Sequence, residues 1–231
     1  MEDVIFIAIV IGLIVLTIVI FLSLEKRRKR AITEEGKSFG FHRLAQEETL
    51  PVAEVPLFTT LIDTDLTEFS IILRGEINGY EAGFFDLIMH QQKSLYHSIV
   101  IVKNPQVMMP KFQLKSLESS FWFLMELFSL FSLDLGWLRQ HTHGDELKIP
   151  GREEDMGSLR LSADDSQWAF QTFSRATPQF FQKLQKGKWT IEGFQDSLVI
   201  YRWCKRIPAR KLQEYVRQAA EISAEMYSIC S

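Results

Sequence analysis

The chain has 231 residues, 26 Lys plus Arg against 29 Asp plus Glu, and a net charge of -3. Five of its positive charges sit in one run, Lys26, Arg27, Arg28, Lys29 and Arg30, so the remainder is more acidic than the total, which argues against an extended nucleic-acid surface. Two cysteines, Cys204 and Cys230, are too sparse for a disulfide framework or a metal-binding spacing and read as reduced thiols.

Val4 to Leu24 is apolar on every helical face and carries no charge. At about 1.5 Å per residue it rises roughly 31 Å, the thickness of a bilayer's hydrocarbon core. Glu2 and Asp3 precede it and the five basic residues follow it, so the positive-inside rule places the C-terminal part in the cytoplasm and the N-terminus outside the inner membrane. A cleaved signal peptide would instead carry positive charge before a shorter apolar core. Lys26, Arg27, Arg28, Lys29 and Arg30 are chiefly a topology signal and secondarily a contact for anionic headgroups. Residues 1–30 are therefore an anchor with its basic flank. Residues 31–56, polar and interrupted by Gly36, Gly40 and Pro51, read as a tether that becomes ordered around Phe41 to Leu44.

Residues 57–231 read as a cytosolic domain. Ser70 to Ile77 and Tyr80 to Ile88 alternate around Asn78-Gly79, the strongest short hairpin signal, because a type I′ turn needs positive φ at both central residues. A two-residue loop pairs Ile77 with Tyr80, Gly75 with Ala82, Leu73 with Phe84 and Ile71 with Asp86. Leu73, Ile77, Tyr80 and Phe84 then share a core face. On the other face, which should be wet or bound to something basic, Glu76 lies opposite Glu81, a like-charge pair partly relieved if Arg74 reaches across. Leu95 to Lys103 and Lys111 to Leu117 extend this to a four-stranded antiparallel meander.

Ser119 to Leu138 is an aromatic helix whose polar positions, Glu126, Ser129, Ser132 or Leu133, and Gly136, form one narrow stripe. It reads as a core helix, as an interfacial or partner-binding helix using Trp122, Phe123, Phe128, Phe131 and Trp137, or as a second span. The span would place Glu126 and Asp134 about 6 Å from the bilayer midplane at roughly 2 to 3 kcal/mol each. Arg139 to Gly157 reads as a loop and Leu159 to Ala163 as a short strand. Ser162 is the expected N-cap of a helix reaching Phe173, with Asp164 and Asp165 in its first turn. Thr177-Pro178 opens another helix that Gly187 stops. Trp189 to Phe194 and Ser197 to Lys205 form a second hairpin, and Pro208 opens a final helix to about Tyr227. Hairpins grouped apart from helices define an α+β fold, divisible into units 57–118 and 159–231 joined by the helix 119–138.

Arg74-Gly75-Glu76-Ile77-Asn78-Gly79 leading into Phe84-Phe85-Asp86, then Trp189-Thr190-Ile191-Glu192-Gly193 with Ser197-Leu198-Val199-Ile200-Tyr201-Arg202, behind an N-terminal span with a basic stop, resembles a bacterial family of uncharacterised single-pass membrane-anchored proteins. The resemblance covers roughly Leu57 to Ala224. It implies this architecture and no catalytic residue.

The one constellation suggestive of metal chemistry, His141-Thr142-His143-Gly144-Asp145, matches half of a zinc-hydrolase motif. It fails on inventory: Glu146 replaces the closing histidine and none of the five histidines lies beyond 143. His90 and His97 flank a strand turn and could face one another. Nucleotide, nucleophile-elbow and metalloprotease motifs are missing from the sequence. The expectation is a non-enzymatic, membrane-tethered interaction or scaffold module with no catalytic, metal or cofactor residues. Its partners are the lipid bilayer and another membrane-associated protein or a second copy of itself. A membrane-anchored enzyme built on His90, His97 or the His141 to Asp145 loop, or a small-ligand sensor, is the alternative.

Overall fold

A computed structural model describes residues 2–44, 67–90, 94–116, 146–202 and 205–231. The aromatic positions Trp122, Phe123, Phe128, Phe131 and Trp137, the His141 to Asp145 loop and Cys204 lie outside the described residues.

The first helix, α1 (Glu2–Ser38), continues 14 residues beyond Leu24 without interruption. Its apolar part is exposed from Phe6 to Leu24, and among the described residues it is the helix long and apolar enough to cross a membrane. The tether expected from residue 31 is therefore corrected over its first stretch. Ala31, Glu34, Glu35 and Lys37 favour helix, and tertiary contacts supply the rest: Ile32 is fully buried, and Gly36 lets Leu73 approach so closely that an added Cβ would stand 2.6 Å from its Cδ1. The helix ends where Gly40 takes φ +90° and Phe41 N–H donates to the Gly36 carbonyl at 2.9 Å. Phe41 and Leu44 are buried and flank β1 (His42–Arg43), which pairs with the next strand, so the order expected around Phe41 to Leu44 is present.

The hairpin β2 (Thr67–Ile77) and β3 (Tyr80–His90) has the register read from its turn, from Ile77 opposite Tyr80 down to Ile71 opposite Asp86. Asn78 and Gly79 both have positive φ, and Arg74 bridges to Glu81 at 2.6 Å. β4 (Ser94–Lys103) continues the meander, but β5 (Met109–Ser116) does not. One eight-stranded sheet runs β1-β2-β3-β4-β8-β7-β5-β6, with β7 (Trp189–Gln195) and β8 (Ser197–Arg202) inserted between β4 and β5 and β6 (Leu159–Ala163) at the edge. The expected four-stranded meander and the division into units 57–118 and 159–231 are thereby corrected. All of Ser197, Leu198, Val199, Ile200 and Tyr201 are buried, so this strand needs neighbours on both edges and cover on both faces.

Among the described residues, four further helices follow α1. A single-turn helix α2 (Glu153–Met156) replaces part of the loop expected over 139–157, and β6 (Leu159–Ala163) forms as read. In α3 (Ser166–Ser174) the N-cap is Asp165, accepting from Trp168 N–H at 2.9 Å, whereas the expected Ser162 lies inside β6. Helix α4 (Pro178–Gly187) starts as read, with Thr177 as cap and Pro178 behind it, and α5 (Leu212–Cys230) follows a short 3-10 turn. Leu212, Tyr215, Val216, Ala219, Ala220, Ser223 and Met226 of α5 are all buried. Helices α3, α4 and α5 pack with Ile32 against the face carrying Leu73, Phe84, Val100, Ile200, Ile191 and Leu114.

On the opposite sheet face Arg74 and Glu76, near the Asn78-Gly79 turn, are exposed. Farther along, Phe85, Leu87, Ile99, Ile101, Val199 and Tyr201 are buried, which corrects the expectation of a wet face for the whole hairpin.

Candidate functional site

The site lies where α1 leaves its apolar stretch and meets the sheet. Alternation of side chains puts Asp86 on the core face two residues beyond Phe84, and it is completely buried there. A buried carboxylate needs a cation and hydrogen bonds. Arg28, one turn past the apolar stretch, pairs with Asp86 Oδ2 through Nη1, and its Nη2 donates to the Ile207 carbonyl at 2.7 Å. Asp86 Oδ1 accepts from Ser98 Oγ at 2.5 Å, and Ser98 Oγ accepts in turn from Ile207 N–H at 2.9 Å. Tyr215 Oη donates to the Ser98 carbonyl at 2.7 Å, and burial pushes its phenol up.

A second pair reinforces the first. Arg206 pairs with Glu25, its Nε lies 3.6 Å from Asp86 Oδ2, and Ser70 Oγ donates to Glu25 Oε1 at 3.1 Å. Burial alone would raise the Glu25 carboxyl; the hydrogen bond and charge of Arg206, the Ser70 bond and Arg28 outweigh it and hold it below its ordinary value. Three stretches far apart in sequence thus converge on α1: strands β2 to β4, the 205–211 connection and the first turn of α5.

This arrangement is a mechanical coupling. Arg28, expected as a headgroup contact, is turned inward with its side chain 18% exposed. Lys26, Arg27 and Arg30 are exposed and Lys29 half-buried. The sequence carried a signal for Asp86, since its register partner Ile71 placed it on the core face; it held none for which cation would answer it. Among the described residues no group of three His, Cys, Asp or Glu could hold a metal.

The remaining candidates separate. His90 pairs in register with Ser94 and His97 with Leu87, so the two histidines are not opposite one another. His97 is fully buried, edge-on to Tyr201, and burial lowers it to about 4, which keeps it neutral. Burial pushes the Cys230 thiol up to about 12, out of the nucleophilic range. A polar island that the sequence reading passed over sits on the second sheet face: buried Glu192 accepts from Tyr201 Oη at 2.5 Å and Gln113 Nε2 at 2.9 Å. Burial pushes its carboxyl up against those two bonds and the charges of Lys115 and Lys111. The adjoining crevice, between Lys111 and Asp164, has room for about one water molecule.

Fold and site together define an α+β domain built around one antiparallel sheet and clamped to an apolar, membrane-length helix. No protein-family model matches the chain, and no curated protein matches it in sequence. Among solved structures it is similar to the crystal structure of the mycobacterial trehalose monomycolate transport factor A, TtfA, with a TM-score of 0.53 over 88% of this chain and 96% of that one. At 12% identity the likeness is one of fold.

Proposed function

We propose that the protein is a single-pass membrane protein whose domain is a non-enzymatic interaction module, held in a fixed orientation on the cytoplasmic face of the inner membrane. The observation that carries this reading is the double ion-pair clamp, Arg28 to Asp86 and Glu25 to Arg206, formed within a few residues of the end of the apolar helix. A domain on a loose leash gains only local concentration; a clamped domain also presents one defined surface to neighbours in the membrane. The charge step from Glu2 and Asp3 to Lys26 through Arg30 supports the cytoplasmic side. The similar fold of a protein described as a transport factor supports an accessory role in a membrane assembly, with another membrane-associated protein or a second copy as partner. The enclosed, neutral His97 supports this reading over an enzyme built on that histidine.

The test is a topology measurement on the full chain. A C-terminal fluorescent-protein fusion should be bright and resist carbonate extraction, whereas a C-terminal alkaline phosphatase fusion should be inactive. Phosphatase activity with a dark fluorescent fusion would put the domain on the other side, and release by carbonate would remove the anchor.

A further inference from the structure

The clamp fixes which end of the domain faces the bilayer. β2 runs alongside α1 in the same sense: Ser70 meets Glu25, and Leu73 meets Gly36 farther along. The Asn78-Gly79 turn is consequently at the far end, and the 205–211 connection, joined to Glu25 and Arg28 through Arg206 and Ile207, is at the near end. Glu25 stands about 1.5 Å and Arg28 about 6 Å beyond Leu24 along the helix, within the headgroup layer of about 5 to 7 Å that borders the hydrocarbon core.

The near end is cationic. Lys205, Arg210 and Lys211 are exposed on the connection, and Lys26, Arg27 and Arg30 are exposed on the adjacent turns of α1. The nearby acids have partners: Glu25 with Arg206, Asp86 with Arg28, and Glu214 with Gln218, whose Nε2 donates to it at 3.1 Å. Partial burial, and behind it the charges of Arg202, Lys211 and Lys188, hold the Lys205 ammonium below its ordinary value. At the far end the charges are mixed: Glu76, Glu81, Asp196 and Asp164 lie among Arg74, which bridges to Glu81, Lys103 opposite Glu81, and Lys111 beside Asp164.

We propose that Lys205, Arg210 and Lys211 form, with Lys26, Arg27 and Arg30, a cationic collar that seats the domain on anionic phospholipid headgroups. The collar rests on the anchor reading above and adds a second contact, contributed by the folded domain itself and separated by about 180 residues from the helix it surrounds. A basic side chain close to an anionic leaflet strengthens partitioning roughly fivefold. The three side chains of the connection therefore suffice to hold the loop on the surface while leaving it salt-sensitive.

The test uses the full chain in nanodiscs of neutral phosphatidylcholine and in discs with about one third phosphatidylglycerol, read by amide hydrogen exchange. Exchange across 205–212 should slow about tenfold in the anionic discs and return to the neutral-disc rate in about 0.5 M salt. The variant K205Q/R210Q/K211Q should lose the lipid dependence while residues 70–86 keep their protection, which reports an intact fold. Equal exchange of the wild-type protein in both lipids, with normal incorporation, overturns the collar and leaves the anchor standing. Slowing in neutral discs on addition of inorganic phosphate alone would reassign the cluster to a soluble anion and overturn the lipid contact. Failure to incorporate into either disc overturns the anchor and the collar together.

Discussion

Arg28→Met tests the clamp most directly, because it removes the cation and keeps most of the side chain's length. Asp86 is completely buried, and stripping one partner from a buried pair costs about 3 to 5 kcal/mol. Two features of the site reduce that figure: Arg28 is 18% exposed, so its own desolvation is incomplete, and Arg206 Nε at 3.6 Å still shields the carboxylate, as does the Ser98 hydroxyl. The expected loss is about 2 to 3 kcal/mol, out of a total of roughly 5 to 15 for a domain. For a domain of this size that lowers Tm by about 4 to 12 °C. The assay is thermal unfolding of the full-length protein in nanodiscs, with Arg28→Met, Asp86→Asn and the double variant completing a cycle. The two changes should be strongly non-additive, the double variant being less destabilised than the sum by at least about 1 kcal/mol. Additive losses, or an Arg28→Met variant within about 0.5 kcal/mol of wild type, would refute the argument that this pair couples helix to sheet.

Acid should loosen the same joint. Glu25 has a depressed carboxyl, so its contribution is present above the ordinary carboxylate range near pH 4 and is lost as pH falls through its lower folded value; Glu25→Gln should flatten that limb of the stability curve. His97 behaves differently. It is a base lowered by burial to about 4, so the unfolded chain takes up the proton first and stability declines as pH drops from about 6.5 towards 4, by about 3 kcal/mol in all. Denaturant titrations should find this slope in the wild type and not in His97→Phe, and an NMR titration placing His97 above pH 6 would contradict it. Gly75→Ala should cost about 1 to 3 kcal/mol, since the new Cβ would stand 2.6 Å from the buried Phe41 ring; a melting temperature unchanged from wild type would show that residues 39–44 yield freely.

Local chemistry was the legible part of this chain. Asn78-Gly79 dictated a turn, the turn dictated a register, and the seven paired positions from Ile77 opposite Tyr80 to Ile71 opposite Asp86 follow from it, before a register shift between Phe69 and Ile71. Thr177-Pro178 and the α5 stripe were equally local. What escaped the sequence was decided at long range. Whether β4 pairs with β5 or admits β8 depends on which edge buries the fully buried Ser197 to Tyr201 strand, and adjacency in sequence does not encode that. The extension of α1 rests on single residues, Ile32 and Gly36, whose role exists only once Leu73 and Phe41 are in place. At the site, Asp86 could be seen as a carboxylate on a core face, but Arg28 had a sufficient explanation as a topology signal, and nothing in the sequence joined two residues 58 positions apart.

The clamp also makes the domain a lever. With Arg28 and Arg206 joining helix to sheet, a change in the tilt of α1 is passed on to the domain instead of being absorbed in a hinge. The hairpin tip at Asn78-Gly79 stands about 23 Å beyond Ile71, so a 20° change in tilt carries it about 8 Å sideways. Helix tilt responds to bilayer thickness. If α1 spans a bilayer as proposed, the far end of the sheet would shift with the thickness of that bilayer, amplified by a joint made of four charged side chains.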